Sequence, residues 1–212
     1  DRVNREMGVN SGRGSYRLAQ QASKLIIETK RKIREIVRAD VSSAVVFTPS
    51  ITIAINQVLN GISLESGGVV YVSPYEHNAV ARSLHLIESR KKIVVKELPL
   101  DEKTLEIDIE RLRYEFVKNK PNLVVCTHVS NVTGYILPVK DIFDEAKRYN
   151  CITVLDSAQS MGLIEIDSKS INADIICFAG HKSLYGPFGI GGYINVTNIP
   201  LDVYLAGGTG SD

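Results

Sequence analysis

Short continuous apolar runs alternate along this chain with longer stretches in which apolar residues recur every three or four positions. From Arg17 to Arg38 the residues Leu18, Ala22, Leu25, Ile26, Ile33, Ile36 and Val37 form the stripe of an amphipathic helix. Val45–Phe47 then predicts a strand, Thr48-Pro49-Ser50 its turn, and Ile51–Leu59 a helix with Ser50 at its N-cap. Further strands are predicted at Gly68–Val72, Ile93–Leu98, Leu123–His128, Ile152–Asp156, Ile175–Phe178 and Tyr193–Val196. Further helices are predicted from Glu76 to about Ser89, from Asp108 to Lys118 and from Val139 to Tyr149. Residues 1–14, polar and carrying Arg2, Arg5 and Arg13, read as an irregular lead-in. Strand and helix alternating in this way predict an α/β fold, a mostly parallel sheet with helices on both faces joined by right-handed crossovers. With no internal repeat or long linker, residues 1–212 read as one domain.

The apolar run Ile175–Phe178 ends in Ala179-Gly180-His181-Lys182, and Gly186, Gly189, Gly191 and Gly192 follow within ten residues. A buried strand thus delivers one amine to its carboxyl end, where open α/β sheets place their ligands, and the glycines let backbone approach a ligand closely. A lysine amine desolvated among apolar walls is a nucleophile suited to forming a Schiff base with an aldehyde. The bland alternative is a solvated surface charge, the commonest fate of a lysine.

Two other strands end in polar groups: His128 with Ser130 and Asn131, and Asp156 with Gln159. In a parallel sheet these ends converge with Lys182 on one edge. Singly, Asp156 reads equally as a turn or cap residue and His128 as a satisfied, half-buried histidine. The Ser50–Thr52 turn opens a helix whose unpaired N–H groups suit a phosphate, although a capped helix binding nothing has the same pattern. Taken together, these are the groups that a pyridine cofactor bound as an imine needs: a carboxylate at its ring nitrogen, a donor to its phenolic oxygen, a flat group on its face and an anion site for its phosphate.

Composition narrows the classes. Hydrophobic content of 44%, charged content of 23% and a net charge of +1 are those of an ordinary globular protein, with no electrostatic argument for nucleic acid or an acidic membrane surface. No apolar run approaches the length of a membrane span. Cys126, Cys151 and Cys177 lie in or beside apolar runs without C-x-x-C spacing, so they predict buried thiols in a reduced cytoplasm and no cysteine metal site. Asp1 is not an initiator methionine and Gly207–Asp212 reads as a loop, so both ends read as cut from a longer chain.

The segments Thr127-His-Val-Ser-Asn-Val-Thr-Gly134, Val154-Leu-Asp-Ser-Ala-Gln159 and Gly180-His-Lys182 with Tyr185-Gly-Pro-Phe-Gly-Ile-Gly191 resemble the class V aminotransferase superfamily, in particular its cysteine desulfurase and selenocysteine lyase branch. The fold implied is the large domain of pyridoxal-phosphate-dependent transferases, with a mostly parallel, seven-stranded type of sheet. The resemblance implies that Lys182 holds pyridoxal 5'-phosphate as a Schiff base and shuttles protons, that Asp156 pairs with the ring nitrogen, and that His128 stacks on the ring. Gln159 would face the phenolic oxygen, with Asn131 near that oxygen or the substrate carboxylate. Ile51, Thr52 and His181 would bind the phosphate, with Gly207, Gly208 and Thr209 serving the site of a second subunit. The implied activity is release of sulfur from L-cysteine to give alanine, by a homodimer that also meets a sulfur-acceptor protein. Selenocysteine lyase or aminotransferase activity, or a non-catalytic dimerisation module, are the alternatives.

The chain also departs from this pattern. Ala179 stands where many relatives have a phosphate-binding serine, no Asp-Asn-Ala-Ala-like segment precedes Asn10–Arg17, and the sulfur-accepting cysteine and substrate-gripping arginine of relatives belong to a C-terminal small domain beyond Asp212. Rival readings fit less well. Gly186–Gly192 leads into a strand rather than the helix of a dinucleotide fingerprint, and no G-x-S-x-G elbow accompanies Ser130 and His128.

Overall fold

The computed structural model describes residues 2–11, 14 and 16–206. Its elements in chain order are α1 (Arg2–Met7), α2 (Arg17–Ile36), β1 (Ala44–Thr48), α3 (Ile51–Gly61), β2 (Val69–Val72), α4 (Asn78–Lys91), β3 (Val94–Glu97), α5 (Ile109–Lys118), β4 (Leu123–Thr127), α6 (Val139–Lys147), β5 (Ile152–Asp156), β6 (Ile175–Ala179) and β7 (Gly191–Asn195). The seven strands form one sheet in the order β1-β7-β6-β5-β4-β2-β3.

Each expected strand is present. The boundaries shift by a residue or two, and the first helix to differ is α1, which stands where the sequence reads as an irregular lead-in. Its six residues are too short to show an amphipathic period, which is why the pattern misses it. Strands β3, β2, β4, β5 and β6 pair in parallel, whereas β7 runs antiparallel to both β6 and β1. The β6–β7 connection is the loop from Gly180 to Ile190, too short for the helical crossover that a parallel neighbour requires.

The central strands read as unbroken apolar runs because both of their faces are covered. In β4, Val124 and Cys126 face one cluster with Leu112 and Phe116 of α5 and Ile142 and Phe143 of α6. The alternate residues Leu123 and Val125 face a second cluster with Ala54, Ile55 and Val58 of α3 and Val80, Leu84 and Ile87 of α4. Each fully buried Leu, Ile or Phe contributes about 1.5–3 kcal/mol relative to exposure, so this two-faced core holds the strand ends in register. Asp108 caps α5 by accepting from Arg111 N–H at 2.9 Å, and Ser50 caps α3 by accepting from Ile53 N–H at 3.3 Å. Among the described residues, no helix is long and apolar enough to cross a membrane.

Candidate functional site

One edge of the sheet collects the carboxyl ends of β2, β4, β5 and β6, and the antiparallel β7 starts there with Gly191 opposite Ala179 and Thr48. Thr127 lies opposite Asp156 in the β4–β5 register, and the next residue, His128, donates its backbone N–H to the Asp156 carbonyl at 2.9 Å. On the other side, Ser157 ties β5 to β6, its N–H and its Oγ both donating to the Cys177 carbonyl at 2.9 and 2.7 Å. Asp156 and His128 are therefore fixed by ladder bonds and both are buried, 3% and 7% exposed.

Burial pushes the Asp156 carboxyl above its ordinary range, while the Ala158 N–H donating to Oδ1 at 2.8 Å and the charges of Lys182 and His77 pull it down. Burial likewise lowers the His128 imidazole, favouring the neutral ring, and its Nδ1 is buried without a hydrogen-bond partner. These two observations test the site for a pyridine cofactor. A buried carboxyl whose ionisation lacks a full counter-charge fits a ring nitrogen that can be protonated, and an unsatisfied imidazole nitrogen fits a polar ligand atom. The residues fit the group.

Lys182 sits in a loop closed by its own backbone. Gly180 N–H donates to Ile190 O at 3.0 Å, Gly186 N–H to Gly180 O at 2.7 Å, and Tyr185 N–H to Lys182 O at 2.9 Å. A Cβ on Gly186 would stand 2.8 Å from Gly180 O, so this turn admits only glycine there. Tyr185 holds a left-handed φ of 54°, strain that the surrounding bonds sustain. Ser183 Oγ donates to Met161 O at 2.8 Å and pins the loop to the segment after β5. The Lys182 residue is half-buried rather than enclosed among apolar walls, but it lies within electrostatic reach of Asp156.

The start of α3 packs against this loop. A Cβ on Gly191 would lie 2.5 Å from Ile51 N and 2.7 Å from Ser50 C, so the glycine allows the helix N-terminus to press against β7. By helix geometry the N–H groups of Ile51 and Thr52 have no intrahelical acceptor. Ile51 is buried and Thr52 exposed, which leaves the first turn able to meet an anion. His181 stacks its ring on Phe188 with centroids 5.1 Å apart. Gln159 is half-buried just beyond Asp156, while Asn131 is exposed on the loop that the Val129–Ile136 bridge closes. Thr209, with Gly207 and Gly208, lies outside the described residues.

Glu76, which in the sequence only opens the helix after β2, also belongs to this edge. Its Oε1 accepts from Ser73 Oγ at 2.6 Å and from Thr127 N–H, and its Oε2 is buried with no partner. Burial first, and the Asp156 charge second, push its carboxyl up to about 8. The available signal is an acid in the short turn between a strand and the helix that follows it, on the edge where the strands' carboxyl ends lie. The three cysteines are core residues, 0–2% exposed, and burial raises all three thiols, Cys151 to about 12.

Residues 3–198 match the family model for aminotransferase class-V. A "probable cysteine desulfurase" of Methanothermobacter thermautotrophicus is 32% identical over 209 residues, 97% of this chain and 51% of that protein. The apo structure of a cysteine desulfurase from Thermococcus onnurineus NA1 superposes with a TM-score of 0.86 at 26% identity, covering 98% of this chain and 53% of the other. A structure of SspA in complex with cysteine superposes with a TM-score of 0.82 at 25% identity, covering 97% of this chain and 59% of the other. The chain thus spans about half the length of the proteins it matches. A sheet edge bearing Lys182, Asp156 and His128, on a chain that matches the family model over nearly all its length, places this chain in the class V aminotransferase family.

Proposed function

We propose that residues 1–212 are the cofactor-binding large domain of a pyridoxal-phosphate-dependent cysteine desulfurase. The observation that carries this reading is that the strand ends leading to Lys182, Asp156 and His128 lie together on one sheet edge. The relatives named cysteine desulfurases support the choice of reaction, and the neighbour solved with cysteine supports an amino-acid substrate.

Lys182 would hold the cofactor's aldehyde carbon, Asp156 its ring nitrogen, His128 its ring face, and Ile51, Thr52 and His181 its phosphate; Gln159 and Asn131 would contact its phenolic side. When bound, pyridoxal phosphate supplies the electron sink that loosens bonds at the substrate's α-carbon. The chain's own residues do the rest. Asp156 would stabilise positive charge at the ring nitrogen as a carboxylate, and Lys182 would accept and return the substrate's α-proton at Nζ. His128, buried and favouring the neutral ring, would cover one face of the cofactor.

The buried thiols Cys126, Cys151 and Cys177 are unsuited to accept sulfur, which requires an exposed thiolate. We assign that role to a cysteine outside these three. A homodimer, a sulfur-acceptor protein and a reducing cytoplasmic compartment complete the reading. The test is to supply the intact protein with cysteine and a reductant and to measure alanine and sulfide. Equimolar products, abolished in Lys182→Ala and reduced by about two or more orders of magnitude in Asp156→Asn, are expected. Loss of amine without sulfide would point to an aminotransferase instead.

A further inference from the structure

We propose that Glu76 is a positioning residue of this site, a neutral acid that clamps the ends of β2 and β4 behind Asp156 and so leaves Asp156 as the only ionised carboxyl group beside the ring nitrogen. The inference deepens the cofactor reading and rests on it only where a cofactor spectrum is measured.

The clamp is geometric. Ser73 follows β2 and Thr127 ends β4, and both donate to the single oxygen Oε1 of Glu76. Thr127 is also the register partner of Asp156, and its neighbour His128 bonds to the Asp156 carbonyl. Glu76 therefore braces the end of β4, which pairs with Asp156 on β5 and leads directly into His128.

Neutrality follows from what surrounds the other oxygen. Oε2 is buried without any hydrogen-bond partner, and among the described residues no cation forms an ion pair with Glu76. An ionised carboxylate left with one solvent-excluded, unpaired oxygen is costly, whereas a protonated one carries no charge to satisfy. The titratable groups around it reinforce this. Asp156 on β5 repels a second negative charge, Cys126 on β4 lies within electrostatic reach, and His85, Glu88 and Glu97 line the same cleft beside Ser73 and Glu76. Lys182 and His77 act on Asp156. Hydrogen bonds from Ser73 and Thr127 favour the charged form but do not outweigh burial.

An ionised Glu76 would place a second negative charge beside Asp156, raise the proton affinity of Asp156 and the ring nitrogen together, and so alter the cofactor's absorbance. This links the proposal to a readout that a purely structural role would leave unchanged.

The test is difference infrared spectroscopy of the intact protein, with and without cofactor, titrated across neutral and alkaline pH. A carbonyl band of a protonated carboxylic acid is expected at neutral pH, bleaching as pH rises through about 8 and missing from Glu76→Gln. In the loaded protein, the visible spectrum should show a step at the same pH that Glu76→Gln lacks. Ser73→Ala removes a bond that favours the charged form, so it should move the midpoint upward, and it serves as the deciding variant if Glu76→Gln does not fold. A wild type with no such band at neutral pH overturns the proposal, as does a band that persists in Glu76→Gln or a midpoint that Ser73→Ala leaves in place. Failure to bind cofactor with the infrared result intact would count against the cofactor reading alone.

Discussion

At the scale of single residues, the site is defined by two carboxyl groups, Asp156 and Glu76, buried at one sheet edge without an ion pair to either among the described residues. Both are raised above their ordinary range, so the sign of their effect on stability is fixed. A group raised in the folded state contributes fully below its unfolded value and loses that contribution as pH rises through the folded one. For Glu76 the window runs from the ordinary 4.5 to about 8, and the loss across it is on the order of a few kcal/mol. The cofactor-free protein should therefore lose denaturant resistance between those pH values. Glu76→Gln, which keeps an acceptor for Ser73 and Thr127, should lose less, and equal slopes for the two proteins in urea titrations would contradict the argument. Lys182, Asp156 and His128 were legible in the sequence because each sits where an apolar run stops. Glu76 was not, because an acid just ahead of a helix reads as an ordinary first-turn residue, and only the fold shows its carboxyl turned inward onto Thr127.

Among the elements, the contact between α3 and β7 sets the helix N-terminus that is proposed to meet the cofactor's phosphate. Gly191 allows Ile51 N to approach, and a methyl group there would meet backbone that cannot rotate away. Gly191→Ala should destabilise the fold by roughly 1–3 kcal/mol and weaken cofactor retention more than stability alone explains. Thermal unfolding and dialysis of the loaded protein check this, and an alanine variant that retains cofactor like the wild type would refute it. Here too the sequence told part of the story. Ser50 was readable as a cap and the strands as buried, but the antiparallel course of β7 and the pressure of α3 against it depend on loop length and sheet order, which periodicity does not encode.

For the whole molecule, the two clusters on either face of the sheet enclose Cys126, Cys151 and Cys177 along with the strands that bear them. A thiol reagent should modify none of the three until the protein unfolds, since burial both blocks access and raises the thiol's proton affinity. Rapid labelling of any of them in the native protein, located by mass spectrometry, would reopen the assignment of the sulfur acceptor to another cysteine.

The proposed chemistry depends on Lys182, in the loop just beyond β6, meeting an aldehyde. Borohydride reduction of the intact protein loaded with pyridoxal phosphate, followed by peptide mapping, tests it most directly. A pyridoxyl group on Lys182, and no label in Lys182→Ala, is expected. A label on any other lysine, or none on the wild type, would contradict it.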